Sequence, residues 1–514
     1  MHRITAAMIG IAIAVSACAP KTRRTPDDTL VMVIEAAMTT ADPRYAITGL
    51  DGKLSKLVHP GLTAVDTASL EPQRALAASI TRVDDLTWDV TLRPDAKFSD
   101  GTPVLARDVA GTYRYILDPK SDSLFHKQFA ERFRDVEPTG ERSVRFHLIT
   151  PLATFMTDID FGIVSFAHGT PAKGKAVGAG PFSVAEITST HVVLDANPHY
   201  YGAKAKLPHV EIRFVRDGSA RLLMLVGGSA DLIQNAVRLD LVPEIRGRPR
   251  VEVTTGPSVF LTYLLLNNTD PHLRDKRVRQ AIALAIDRPA VIEAQLGGNA
   301  RLATGLLPPN HWAYEANVAH WNLDLSRAKR LLDEAGFRDP DGDGPQPRFS
   351  LTYKTSSDQF RVSIARVLAA QLSRVGIAVE VRSFEFATFF ADVKKGSYQL
   401  ASMQTTDITE PDFYFTYFHS SWIPSAKNPD GYNRWRYVNP EVDRLTAAGR
   451  RELDHDKRKQ LYAEVQRIVA DDVPIIPLWH EDNIAMTNVD VQGYVLVPNA
   501  RLTGLRDAWK RRSE

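Results

Sequence analysis

One thiol in 514 residues limits how this chain can be held together. Cys18 has no partner within the chain, so no intramolecular disulfide is available, and a fold this large must rest on core burial. The cysteine closes a short apolar segment. His2 and Arg3 make a small basic start, residues 4–15 carry no charge, and Val15-Ser16-Ala17 lead into Cys18. That stretch is well short of the roughly 20 residues a helix needs to span a bilayer. The pattern predicts a secretory signal over residues 1–17.

Removing the signal leaves about 497 residues, enough for two or three lobes rather than one core. Apolar content of 44 % and charged content of 24 % suit a soluble globular body. Lys plus Arg is 63 and Asp plus Glu is 61, a net of +2 that becomes +1 once Arg3 is lost. That balance gives no reason to expect nucleic acid as a partner. Lys510-Arg511-Arg512 reads as a solvated tail end. The run Val15-Ser16-Ala17-Cys18 resembles the bacterial lipobox, which implies cleavage before Cys18 and diacylation of its thiol. An ordinary signal with a chance cysteine is the alternative. Residues 18–28 are polar and proline-punctuated, as a lipid-anchored tether would be. The expected location is the periplasm or cell surface, lipid-anchored to the membrane through Cys18; Ala19 leaves inner or outer membrane, or a Gram-positive surface, open.

Leu30-Val31-Met32-Val33-Ile34 is a continuous apolar run long enough for one buried strand. Trp88, Val90 and Leu92 alternate with polar residues, the period of a half-buried strand, and residues 143–148 repeat the pattern. Residues 104–117 read as a helix with Val109, Tyr113 and Ile116 on one face. Val278, Ala281, Ile282 and Ala285 fall at i, i+3, i+4 and i+7. Helices are also expected over 325–335 and 363–375, stopped by Gly336 and Gly376. Ile377, Val379 and Val381 alternate as a strand. Strand–helix–strand succession of this kind implies an α/β lobe with a mixed sheet.

The run from Asp85 to Val104, centred on Leu92-Arg93-Pro94-Asp95-Ala96-Lys97-Phe98-Ser99-Asp100-Gly101-Thr102-Pro103, resembles the hallmark segment of family 5 solute-binding proteins, the extracytoplasmic receptors of peptide- and nickel-type ABC importers. Further blocks follow in the family's order: Val177-Gly178-Ala179-Gly180-Pro181-Phe182, Asn197-Pro198-His199-Tyr200-Tyr201-Gly202, residues 278–288, and Pro474-Ile475-Ile476-Pro477-Leu478-Trp479. The resemblance implies an α/β periplasmic binding protein-like class II fold, two lobes around a ligand cleft with an extra subdomain on the first. By analogy, lobe I takes residues 29–58, 171–262 and 483–514, the extra subdomain 59–170, and lobe II 263–482.

It also implies where ligand binds. Gln404-Thr405-Thr406-Asp407-Ile408-Thr409-Glu410-Pro411 resembles the family stretch whose aspartate faces the cleft and pairs with a peptide's free amino group; Asp407 takes that position, with Thr406 and Glu410 beside it. A buried ammonium needs an opposite charge and hydrogen-bond acceptors, and a carboxylate supplies both. Gln404 and Thr405 stand where the family commonly carries tryptophan, which favours a different amine or polar ligand. An N-cap or turn carboxylate ahead of the Phe-rich helix is the structural alternative for Asp407. Among the aromatics that follow, Trp422, Tyr432 and Trp435 lie in a polar stretch and are expected at the cleft rim. Ala37 and Met38, after the first strand, are expected on the opposite wall. Spacing places no arginine for a peptide carboxylate; Arg382 and Arg434 are the candidates.

Asp339-Pro340-Asp341-Gly342-Asp343-Gly344 opens like a calcium loop, but Ser350 stands where the bidentate Glu belongs, so no metal or other cofactor is expected. No nucleophile elbow, zinc-protease pair or phosphate-cradling loop is present, so no enzyme activity is expected. The expected function is capture of a short peptide and its delivery to an ABC permease and ATPase by a monomer. A nickel chelate, an oligosaccharide or an amine metabolite is the alternative cargo, and a sensing or partner-binding lipoprotein the alternative class.

Overall fold

The computed structural model describes residues 25–237, 241–342, 344–405 and 408–511. Cys18, the signal segment, and the pair Thr406 and Asp407 lie outside the described residues.

A seven-stranded sheet has the spatial order Val251–Gly256, Asn483–Asn488, Leu232–Gln234, Thr29–Ile34, His209–Phe214, His191–Ala196 and Phe182–Ile187. Its central strand, Thr29–Ile34, pairs parallel with both neighbours, setting Met32 opposite Ile212 on one side and Leu232 on the other. The unbroken apolar run follows from that position, since a strand covered on both faces has no polar side. Leu30, Met32 and Ile34 pack with Leu54 and Leu57 of the helix Gly49–Val58, while Val33 packs with Leu225, Ile233 and Met486 on the other face.

The second large sheet runs Ala300–Leu302, Ile475–Glu481, Leu261–Leu266, Leu400–Thr405, Phe349–Ser356 and Ile377–Phe384. Phe349–Ser356 and Ile377–Phe384 are parallel and joined by the helix Gln359–Ser373, the crossover that parallel strands require. Val278, Ala281, Ile282 and Ala285 are buried along the helix Lys276–Ala285, whose N-terminus is capped by Asp275. A third, four-stranded antiparallel sheet joins Ala77–Asp84, Thr87–Leu92, Ser143–Leu148 and Phe133–Pro138. The helix Ala106–Leu117 covers it through Val109, Tyr113 and Ile116. It starts later than residue 104 because the Asp108 carboxylate accepts from the Leu105 N–H at 2.8 Å and closes the first turn.

Two backbone crossings connect the large sheets, so the fold is the two-lobed class II arrangement. Residues 257–260 carry Val251–Gly256 into Leu261–Leu266, and Asp482 carries Ile475–Glu481 into Asn483–Asn488. The crossings are laced together: the Asn483 amide donates to the Pro257, Val497 and Pro498 carbonyls at 3.1, 2.9 and 3.0 Å, and Thr262 donates to Glu481 at 3.0 Å. Gly178 and Gly180 serve packing. A Cβ on either would stand 2.1 Å from the Val58 carbonyl oxygen or 2.2 Å from that of Leu57, so only glycine lets this segment cross the helix end.

The basic C-terminus is not a solvated tail at its start. Lys510 is buried and pairs with Asp231 at 2.6 Å, and Asp231 also accepts from Thr25 at 2.7 Å and from the Val31 N–H at 2.8 Å. This clasp ties the last described strand to the entry of the first.

Candidate ligand cleft and the segment around it

Leu400–Thr405 delivers the segment of interest to the crossover, because Thr405 pairs with Leu261 at the end of the strand leaving the hinge. Thr406 and Asp407 lie outside the described residues. The chain then dives into the protein: Ile408, Thr409, Glu410 and Asp412 are all buried. The helix Phe413–Phe418 begins with Asp412 at its N-cap position, so the capping position belongs to Asp412 and not to Asp407.

Glu410 has both carboxylate oxygens engaged within the protein. Arg458 donates to one, and Thr157 donates to the other at 2.9 Å. Thr157 lies in the short helix Phe155–Asp158 beside the four-stranded sheet, so this contact bridges that unit and the second lobe. The same interface holds Ala153 N–H to the Arg450 carbonyl at 3.1 Å, and Trp312 N–H to the Ser69 carbonyl at 3.2 Å. Asp412 accepts from Tyr462 at 3.2 Å and pairs with Arg450 at 3.1 Å. Burial pushes the Asp158 carboxyl up to about 6, with the charges of Glu410 and Asp412 adding to the effect and Arg132 opposing it. Sequence reasoning missed Arg458 and Arg450. Arg458 sits in the strongly charged helix His455–Asp472, where nothing local distinguishes a buried guanidinium from a solvated one.

The remaining expected site residues separate into two groups. Ala37 is exposed, while Met38 beside it is buried in the first-lobe core. The turn after them is pinned by Asp51, which accepts from the Thr39 N–H at 2.6 Å and from the Thr39 hydroxyl at 3.0 Å. Trp422 is half-buried, with its ring 6.3 Å from that of exposed Tyr432. Trp435, expected at the same rim, is instead fully buried, packing on Tyr263, Tyr417 and Phe418 at 5.4 to 6.0 Å. Its polar surroundings in sequence misled because the neighbouring Asn433 turns inward and bonds three backbone carbonyls. Arg382 is exposed and paired with Glu380 at 2.7 Å. In the acidic turn, Asp339 and Asp341 accept backbone N–H groups of Gly342 and Gln346, both at 2.9 Å; Asp343 lies outside the described residues.

Residues 71–425 match the model of bacterial extracellular solute-binding proteins, family 5. The chain belongs to this family. Among family 5 relatives, the probable D,D-dipeptide-binding periplasmic protein DdpA of Escherichia coli K12 is 28 % identical over 493 residues, covering 92 % of each chain. The probable di/tripeptide-binding protein 5 of Pseudomonas aeruginosa is 30 % identical over 454 residues, 83 % of this chain and 84 % of its own. The oligopeptide-binding protein AppA of Bacillus subtilis, solved with a nonapeptide, superposes with a TM-score of 0.73 at 25 % identity over 94 % of this chain and 99 % of its own. Family 5 proteins are substrate-binding components of transporters.

Proposed function

We propose that this protein is the lipid-anchored receptor of an ABC importer for short peptides. It captures its ligand between the lobes and presents the closed form to a permease and its ATPase. The observation that carries this reading is the run of peptide-binding relatives matching more than four-fifths of the chain. Asp407 takes the ligand's ammonium, Thr406 and Ala37 are further ligand contacts in this reading, and Trp422 forms the rim. Glu410 closes the cleft by joining the second lobe to Thr157. Cys18 carries the acyl chains, residues 18–28 are the tether, and the body acts as a monomer. We divide the chain into lobe I at 29–58, 171–262 and 483–514, the extra subdomain at 59–170, and lobe II at 263–482; the strand Leu261–Leu266 of the second sheet moves the first crossing to residues 257–260, just ahead of that division. Gln404 and Thr405, in place of tryptophan, favour a second cargo class, a polar amine other than a standard peptide.

Hinge closure around a ligand is the established behaviour of such folds. Isothermal titration with di- and tripeptides tests the reading. Asp407→Ala is expected to weaken binding about tenfold or more, the loss of one charge-assisted hydrogen bond, with the melting temperature of ligand-free protein nearly unchanged. Equal affinity of the variant for a peptide bearing a free amine would overturn Asp407 as the anchor.

A further inference from the structure

The contacts between the extra subdomain and the second lobe form one seam. Asn310 donates to the Ala68 carbonyl at 2.6 Å, and His455 stands 3.9 Å from Glu71. The Trp312 and Ala153 N–H groups cross it to the Ser69 and Arg450 carbonyls. The Thr157–Glu410 bond brings three carboxylates to the same seam. Asp158, next to Thr157, pairs with Arg132 inside the subdomain. Glu410 pairs with Arg458, and Asp412 with Arg450, inside the second lobe. Charge is therefore matched on each side separately. Among the described residues no guanidinium of the second lobe pairs with Asp158.

The Asp158 side chain is only 10 % exposed. Thr154 donates to one of its oxygens at 2.6 Å and Arg132 to the other. Tyr113, on the helix Ala106–Leu117, faces it with a phenol that burial keeps protonated. Asp160 also bears on Tyr113 and is neutralised by Lys56 and Arg501. Across the seam, Tyr462 donates to Asp412, and His311 beside Arg458 is lowered to about 3 by burial. Burial and the charges of Glu410 and Asp412 both favour a proton on Asp158. The burial begins within the subdomain, but the two charges belong to the other lobe. They act on Asp158 only while the seam is shut.

We propose that this seam is a proton-operated latch: as the lobes close on ligand, Asp158 meets Glu410 and Asp412, takes one proton from solvent, and the neutral carboxyl holds the closed form. Arg132 loses its ionic partner in that step, but its side chain is 27 % exposed and water replaces the pairing. The inference rests on the reading of the protein as a receptor whose lobes close on a small ligand, and adds a second input, the acidity of its compartment. A proton that binds the closed form more tightly than the open one must strengthen ligand binding in the same proportion.

Calorimetry with trialanine at pH 5 and pH 7 tests the latch, since both ends of that peptide stay largely charged over the range. With Asp158 at about 6 in the closed form and near the ordinary 3.9 in the open one, wild type should bind severalfold, at most about tenfold, more tightly at pH 5. Its binding enthalpy at pH 6 should differ between phosphate and imidazole buffers, the mark of proton uptake, and this needs no variant. Asp158→Asn should bind equally at both pH values. His455→Gln, which removes the other ionisable pair across the seam, should keep most of the wild-type response. A flat wild-type affinity, or a pH response that survives in Asp158→Asn, overturns the inference. If trialanine binds at neither pH, the peptide reading fails and ligand-free protein decides the latch. Protection of the Ala153 and Trp312 amides from hydrogen exchange, corrected for the intrinsic rate, must then rise severalfold from pH 7 to pH 5 in wild type and not in Asp158→Asn; unchanged protection overturns it.

Discussion

Replacing Glu410 by alanine separates a closing contact from a ligand contact. Arg458 is 5 % exposed, and beyond Glu410 its hydrogen bond is Nε to the Gly449 carbonyl at 3.1 Å. Removing the carboxylate therefore strands a buried guanidinium, which costs about 3–5 kcal/mol. Thr157→Val is gentler. It deletes one hydroxyl donor to Glu410, worth about 1 kcal/mol, on the far side of the interface. In ligand-free protein, scanning calorimetry should show a large fall in melting temperature for Glu410→Ala and almost none for Thr157→Val. Ligand affinity should respond differently. If the Thr157 bond exists only with the lobes together, losing 1 kcal/mol from the closed state weakens binding about fivefold. The two substitutions should also be non-additive, since both act on one hydrogen bond. Additive effects on affinity, with an unchanged melting temperature for Glu410→Ala, would refute the reasoning and return Glu410 to direct contact with ligand.

Acid should destabilise the fold through its buried histidines. Burial lowers His59 and His480 to about 4 and His311 to about 3. Their stabilising contribution is full above the unfolded value near 6.5 and is lost as pH falls through the folded values, roughly 3 kcal/mol each for His59 and His480 and about 5 kcal/mol for His311; a melting temperature flat from pH 7 to 4 contradicts this. Asp158 works in the opposite sense. Its pKa is raised to about 6, so between about 4 and 6 the folded state holds the extra proton and stability declines as pH rises. Asp158→Asn should remove that component, seen as a steeper net gain in melting temperature between pH 4 and 6. Lys510→Met leaves Asp231 charged and buried and should cost about 3–5 kcal/mol in denaturant unfolding, while adding Asp231→Leu should recover most of it.

Much of the architecture could be read from periodicity because it depends on local burial. Residues 30–34 had to be a doubly covered strand, and Val278, Ala281, Ile282 and Ala285 had to share a helix face. Residues 143–148 alternate because Val144, Phe146 and Leu148 point into the subdomain core. The family blocks supplied what periodicity lacks, the order of pieces around a cleft. The candidate site was less legible because its chemistry depends on partners distant in sequence. Glu410 meets Thr157 across 253 residues, and no spacing rule announces such a pair. Trp435 looked like a rim residue because its neighbours are polar, yet the Asn433 side chain is spent on backbone carbonyls. Arg382 and Arg434 were equal candidates in the sequence, and only the structure separates them, Arg382 exposed beside Glu380 and Arg434 buried.

The clasp of Lys510, Asp231 and Thr25 fixes a frame of reference for motion. Both ends of the described chain meet at the start of the central strand of the first-lobe sheet, so any leash attached upstream of Thr25 pulls on that lobe alone. Under the proposed anchor at Cys18, the first lobe is the one held at the bilayer, and the second lobe is the one that the paired crossings would leave to swing. A membrane partner reading ligand occupancy would need to sense only the distance between one fixed surface and one moving one.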